Sequence, residues 1–456
     1  MKKLLTAALA AAVVLTSCSK ENPNDVNGGN GQVTETYALL TIKQSTAPAV
    51  SRAGDPSVDA ARGEGKINKA TIYIFDTNKN LEVIETFDAN ATSKEVLITT
   101  GAHYFLAAIN SPSTGMPTGI KKGDHISVVE PKIVSVSAMS SIASNDNFFM
   151  TNIDGPKVHN IVAKGGQGAV DNDNKVTIQI GRAMAKVNVS LASNVNQPNG
   201  ELKNAAAGDV QYLIAGNPNQ MYLFPVYDGT QLTSPYFNNT YVHASHAANY
   251  FPQISSTDKY TDISSMLSNQ GVAVYAMENS NKATPKFGES SYVILTGTYK
   301  PNKWFDADNV EEATAPDFGD TFYRIGVLNS TTGKVESFTG NILSEEPTDE
   351  QLRALLGLTP LTGDISGHSI VEYENGRTYY GLWLAHNDIT DDYVAKHTVA
   401  RNTFFNVTIN EITGPGFNKP DLIPDPEAPI VVSAYIEASI SVTEWKVVEQ
   451  GASIGN

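Results

Sequence analysis

The chain has a single cysteine, Cys18, and its setting defines the one covalent modification the sequence announces. Lys2 and Lys3 precede a short apolar run from Leu4 to Thr16, and Leu15-Thr16-Ser17-Cys18 ends it with a small residue ahead of the thiol. That order is a bacterial lipoprotein signal: a charged start, an apolar stretch too short to span a bilayer as a mature helix, and a cut before the cysteine. Residues 1–17 are therefore expected to be removed and Cys18 to be acylated, each buried CH₂ adding about 0.8 kcal/mol of membrane affinity. The precursor is placed at the outer membrane, held there through its lipid alone.

Other chemistry-bearing residues carry less. His243 and His246 have a ligand-like spacing, but with no third ligand nearby they read as a surface pair and no metal site is expected. Asp76-x-Asn78-x-Asn80 and Asp171-x-Asp173 echo calcium loops yet lack the glycine and distal glutamate, so they read as turns. Gly165-Gly166-Gln167-Gly168 sits among polar residues and reads as a flexible loop rather than a phosphate cradle. Trp304 and Trp383 could stack on a sugar, although a lone tryptophan in a β-sandwich is more often core. No hydrolase elbow, zinc-protease helix motif, phosphate loop or dinucleotide fingerprint is present. The expectation is a protein that is not an enzyme and uses no cofactor.

Composition narrows the class. A formal net charge of −16, more negative once Lys2 and Lys3 leave, disfavours nucleic acid and anionic lipid as partners. With Cys18 lipidated no thiol remains for a disulfide, so packing and backbone pairing must supply stability. A length of 456 residues exceeds what one core usually serves, which predicts two domains. Low charge content with many Gly, Asn, Ser and Thr suits an all-β extracellular chain with long polar loops.

The elements follow from period-2 alternation. After a polar tether from Ser19 to Gln32, the stretch Thr36 to Lys43 alternates Ala38, Leu40 and Ile42 on one face. A small, polar and charged stretch from Val50 to Gly65 contains Arg52 and Arg62 and reads as an exposed loop. Strands are predicted at 67–75 and 81–87 as a hairpin, then at 95–99, 103–110, 175–180 and 185–191. Beyond residue 193 they are predicted at 210–214, 220–224, 271–277, 291–299, 321–327, 378–384 and 402–412, with short helices at 261–267 and 348–356. Thr348 and Gln351 have capping-box spacing and Gly357 supplies the stop. Residues 414–429 carry Pro415, Pro420, Pro424, Pro426 and Pro429, a segment unfit for a central sheet. Behind it Val432, Ala434, Ile436, Ala438, Ile440 and Val442 form the cleanest alternation in the chain, with a bulge or turn expected near Glu444 and the strand expected to stand away from its own domain.

Several segments in order resemble the fimbrillins of type V pili, of the FimA/Mfa type of major fimbrial subunit. They include Arg52-Ala53-Gly54-Asp55, Gly181-Arg182-Ala183-Met184-Ala185-Lys186-Val187, Asn217-Pro218 and Tyr222-Leu223-Phe224-Pro225. They continue with Tyr275-x-Met277-Glu278-Asn279, Tyr373-x-Asn375-Gly376, Tyr379-Tyr380, Arg401-Asn402, Gly414-Pro415-Gly416 and Trp445-x-Val447-Val448. The resemblance implies two transthyretin-like β-sandwich domains in tandem, at residues 53–190 and 191–428. They would follow a segment 18–52 lost on maturation and precede a donor segment at 429–456. It also implies a shaft pilin on the cell surface that serves adhesion and biofilm formation.

Its partners would be copies of itself, tip and anchor subunits and an Arg-specific protease, with the surface ligand open. The cut is expected between Arg52 and Ala53, with Arg62 and Gly63 as second choice. Residues Ala38, Leu40 and Ile42 would then depart, and Val432, Ala434, Ile436, Ala438, Ile440 and Val442 of a neighbour would enter the emptied groove. Six such side chains bring on the order of 10 kcal/mol before ordering costs. A fimbrial tip or accessory adhesin of the same fold, and a surface glycan-binding lipoprotein, are the alternative readings.

Overall fold

A computed structural model describes residues 34–44, 62–112, 116–359, 361–386, 389, 392–430 and 436–444. Within them the chain is mostly strand, with a few short helices in the connections, as the alternation predicts.

The first half forms one eight-stranded sheet. Its strands are β1 (Glu35–Gln44), β2 (Ala70–Phe75), β3 (Leu81–Phe87), β4 (Ser93–Thr99), β5 (Gly101–Ile109), β6 (Met150–Asn152), β7 (Lys157–Ile161) and β8 (Lys175–Arg182). The order is β3-β2-β5-β6-β8-β1-β4, with β7 also on β5. The end strands β3 and β4 are consecutive in the chain, and residues from every strand meet in one apolar core: Leu40, Ile72, Phe87, Ile98, Phe105, Met150, Ile161 and Ile178. A sheet curled in this way buries alternate residues of each strand on one side.

Ala183 alone separates β8 from β9 (Met184–Asn196), which belongs to a different sheet. Its order is β11-β9-β17-β18, where β11 is Val274–Met277, β17 Thr403–Ile412 and β18 Ile436–Glu444. Facing it, β12 (Tyr292–Pro301) pairs with β10 (Gln211–Ala215) and β16 (Arg377–Trp383). A third sheet pairs β13 (Phe322–Leu328) with β14 (Val335–Leu343) and β15 (His368–Tyr373). Val187, Val189, Tyr212, Leu295, Tyr380, Phe405 and Val407 fill the space between the facing layers, the arrangement of a β-sandwich.

The predicted strands are present, most with ends shifted by a few residues. The alternation missed β6, β7, β14 and β15; β6 is three residues long, and much of β14 is exposed and carries Gly340, so it shows little apolar period. The helix predicted at 261–267 is a single α-turn, Tyr260–Ile263, followed by a 3₁₀ turn, Ser264–Met266. The capping box at Thr348 forms as expected and starts the helix Asp349–Leu355. The glycine loop is a small hairpin, Gly165–Gly166 against Ala169–Val170, rather than a loop without pairing.

Candidate functional site

β1 lies inside its sheet, not at an edge. On one side it pairs antiparallel with β4, from Glu35 opposite Thr99 to Thr41 opposite Ser93; on the other it runs parallel to β8, from Leu39 opposite Lys175 to Gln44 opposite Ile180. Ala38 and Leu40 are 0% exposed and Ile42 4%, while Tyr37, Leu39 and Thr41 look outward. The Thr36 hydroxyl donates to Lys164 O at 3.2 Å, and Tyr37 O accepts from Asn174 Nδ2 at 3.2 Å. Removing β1 would uncover a row of apolar sockets and two unpaired ladders, the condition under which another strand is drawn in.

At the far end of β1 a buried polar cluster closes the groove. The Glu64 carboxylate, 0% exposed, lies 2.9 Å from Lys186 Nζ and accepts from the Tyr275 hydroxyl at 2.7 Å. Arg182 Nε donates to Glu64 O at 3.2 Å and Nη2 to Gln44 Oε1 at 3.4 Å. Gln44 Nε2 in turn donates to Gly65 O, and a β-carbon at Gly65 would collide with the Gln44 amide. Burial brings the Arg182 guanidinium down to about 10, with Glu64 and Tyr275 opposing that fall. A buried carboxylate survives because two cations and a hydroxyl surround it. Arg182 ends β8 and Lys186 lies in β9, so the two cations of one short motif reach Glu64 from two sheets.

Of the predicted site residues, Cys18, Arg52, Ala53, Val432 and Ala434 lie outside the described residues. Arg62 is half-buried, contrary to the expectation that it shares an exposed loop. Its Nη1 donates to Ala273 O at 2.8 Å and its guanidinium lies 4.8 Å from the Tyr275 ring centre. Gly63, after it, has φ +63°, and a β-carbon there would meet Asp146 Oδ1 at 2.1 Å.

Ile436, Ala438, Ile440 and Val442 belong to β18. It does not stand away from the body: it runs antiparallel to β17 of its own chain, Thr403 opposite Glu444 through Ile412 opposite Ile436. A break in register falls on β17, between Ile409 and Glu411, and the residues beyond Glu444, where a bulge or turn is expected, lie outside the described residues. The proline-rich spacer is docked too. Phe417 pairs with Tyr379, Ala428 O accepts from Phe287 N at 3.0 Å, and Leu422 is buried. Tyr373 and Tyr380 donate their hydroxyls to Gly416 O (2.6 Å) and Gly414 O (3.0 Å). Prolines remove donors but leave carbonyls, and those carbonyls take bonds from the body.

Two further motif residues form a clamp. Arg401 makes a two-pronged ion pair with Glu278, at 2.6 and 3.0 Å, and donates to Thr151 Oγ1 at 3.1 Å and Tyr222 O at 3.0 Å. It thereby ties β6 of the first sheet to the residue that follows β11 of the second. Arg401 and Glu278 belong to motifs whose sequence gives them no role of their own, and nothing in the local pattern marks Glu64 as buried or Gln44 as a partner of Arg182.

The weak candidates take structural places. Asp76 Oδ1 accepts from Asn78 N at 2.8 Å and Asn80 N at 2.9 Å, and Asp171 Oδ1 from Asp173 N at 3.0 Å, both as turns. The Tyr241 hydroxyl and His243 Nδ1 share a hydrogen bond at 3.1 Å, and His246 Nδ1 accepts from Val242 N at 2.9 Å. Trp383, 8% exposed, stacks on Tyr292 in the core, and Trp304 Nε1 donates to Thr314 O at 2.9 Å.

Residues 371–451 match the family model described as major fimbrial subunit protein type IV, fimbrillin, C-terminal. The chain is also 24% identical over 466 residues, spanning 97% of each protein, to the major fimbrium subunit FimA type-4 of Porphyromonas gingivalis. A crystal structure of a fimbrilin from Porphyromonas gingivalis W83 aligns over 91% of this chain and 99% of its own, with 19% identity and a TM-score of 0.48. The tip fimbrial protein Mfa3 of Porphyromonas gingivalis aligns over 90% and 100%, with 12% identity and a TM-score of 0.42. The chain is an all-β protein. In sequence it is similar to the fimbrillin family, through residues 371–451 by the family model and through a 24% identical relative over nearly its whole length.

Proposed function

We propose that the chain is a shaft subunit of a type V fimbria on the cell surface. It is exported as a lipoprotein acylated at Cys18, cut after Arg52 by an Arg-specific protease and polymerised by strand exchange between identical copies. The observation that carries this reading is the position of β1: an internal strand whose alternate side chains are buried, followed by an arginine-bearing connection before the next strand. Cutting there turns a complete sheet into one with an open slot, which an intact precursor does not present. The contacts that hold Arg62 favour Arg52 as the scissile residue, because a protease needs several residues of extended, unpaired chain. The two halves would divide near Ala183, where the chain changes sheets, with tip and anchor subunits capping the polymer.

β18, stored on β17, gives the chain a strand to donate, which a shaft subunit needs. Trp383 is core, which weakens the glycan-binding alternative. The test is deletion of residues 431–456 in cells that make the filament. The truncated chain should be exported and start at Ala53 by Edman sequencing, yet remain monomeric. Oligomer ladders in mild detergent from the truncated chain would defeat the reading, and an N-terminus at Gly63 would move the cut to Arg62.

A further inference from the structure

Resting on that strand-exchange reading, we propose a single register for it: Ile436–Glu444 of one copy replaces Thr36–Gln44 of the next in the same direction, and Glu444 takes the place of Gln44 beside Arg182. The groove has an order of sizes along β1, namely Thr36, Ala38, Leu40 and Ile42 buried, then Gln44 hydrogen-bonded to Arg182 and Gly65. The alternate residues of β18 follow it at Ala438, Ile440, Val442 and Glu444, and the β-branched Ile436 falls at Thr36, giving up the hydroxyl bond to Lys164 O at the end of the groove. Alanine meets the alanine socket, β-branched or isomeric residues meet the Leu40 and Ile42 sockets, and a polar acceptor falls at the polar end.

The neighbouring registers fail on volume or charge. A slip of two residues one way sets Ile436 in the fully buried Ala38 socket, Ala438 in the Leu40 socket and Val442 against Arg182, combining overfilling, a void and a lost hydrogen bond. A slip the other way drives the Glu444 carboxylate into the apolar Ile42 socket. Running the strand in reverse places Val442 at Ala38 and Ala438 at Ile42. A one-residue slip would turn Glu437, Ser439, Ser441 and Thr443 inward.

Charge favours the same register. Among the described residues the cluster at the end of β1 brings together two cations, Arg182 and Lys186, and the Glu64 carboxylate. In the precursor the neutral amide of Gln44 completes it, and a carboxylate from Glu444 would balance it. The replacement strand would meet Arg182 with a carboxylate, forming an ion pair where the original strand offers an amide oxygen, and it would give up the bond that the Gln44 amide donates to Gly65 O. Val432 and Ala434 fall ahead of the groove in this register, so the working donor is shorter than the alternation in the sequence.

Paired cysteines test the register, because processing removes Cys18 and leaves the new thiols alone. Tyr37 lies opposite the exposed Leu97 in β4, so Glu437 of the incoming strand should lie there too. Leu97→Cys with Glu437→Cys should give a ladder in non-reducing denaturing gels of oxidised filaments that collapses on reduction, and Leu97→Cys with Tyr435→Cys or Ser439→Cys should not. A ladder from either of the latter pairs overturns the register while leaving exchange in place. Intact filaments with no ladder from any pair overturn exchange itself. Glu444→Gln filaments should dissociate on the order of tenfold faster in mild detergent, because the amide removes the ion pair with Arg182. An unchanged rate would remove the Arg182 pairing.

Discussion

The side chain of Asn402 occupies the space a β-carbon at Gly181 would need, with its Cγ 2.5 Å from that position. Asn402 cannot easily withdraw: its Oδ1 accepts from Arg182 N at 3.0 Å, its own N donates to Met184 O at 2.9 Å, and its φ is +57°. It therefore fastens the start of β17 to the two residues that flank Ala183. Gly181→Ala should destabilise the chain by about 1–3 kcal/mol, the usual cost of overfilling a packed site. Urea denaturation of the purified protein checks this; an unchanged midpoint would mean that Asn402 moves aside freely.

The Glu64–Lys186 pair gives a second expectation. Glu64→Leu should leave the Lys186 ammonium buried without that carboxylate and cost about 3–5 kcal/mol, whereas adding Lys186→Met in the same chain should recover most of the loss. Equal destabilisation by the single and double variants in urea would show that the cluster stabilises through packing and not through charge.

Two buried titrating groups should act in opposite directions on stability against pH. Burial lowers His397 to about 4, so between about pH 4 and its ordinary value near 6.5 the unfolded chain binds the extra proton and stability rises with pH. Burial raises Glu289 to about 7, so between about pH 4.5 and 7 the folded chain holds the extra proton and stability falls with pH. Relative to the wild type, His397→Gln should lose its deficit at low pH and Glu289→Gln should lose its deficit at neutral pH. Each change should be on the order of 2 kcal/mol across its window. Calorimetric melting of the three proteins at pH 4.5, 5.5 and 7 checks the signs; parallel curves would refute both.

Much of the strand set was legible because β1, β8 and β17 bury mainly one face, and a one-sided burial writes period-2 alternation into sequence, while β2 and β12, buried on both faces, read as apolar runs. The Thr348 capping box was legible for the same local reason. What stayed hidden depends on partners far along the chain. Glu64 lies in a polar, charged stretch and reads as exposed; its burial follows from Lys186 and Tyr275, which lie 122 and 211 residues away. Arg62 likewise reads as free loop, yet it is held by Ala273 and Tyr275. The docking of the proline spacer depends on hydroxyls from Tyr373 and Tyr380, which no reading of residues 414–429 alone could supply.

The passage from β8 to β9 through Ala183 has a mechanical consequence. In a filament assembled by strand exchange, tension enters a subunit along the strand lying beside β8, crosses to the second sheet through one covalent link, and passes by the parallel ladder from β9 to β17 and the docked spacer. Both ladders lie alongside the strands that bear the load, so their hydrogen bonds resist together in shear instead of opening one at a time from an end. Asn402 and the Arg401–Glu278 clamp brace the single-residue crossing at the point where the pull changes sheets. The same residues that complete the fold would set how hard a surface fibre can be pulled before a subunit yields.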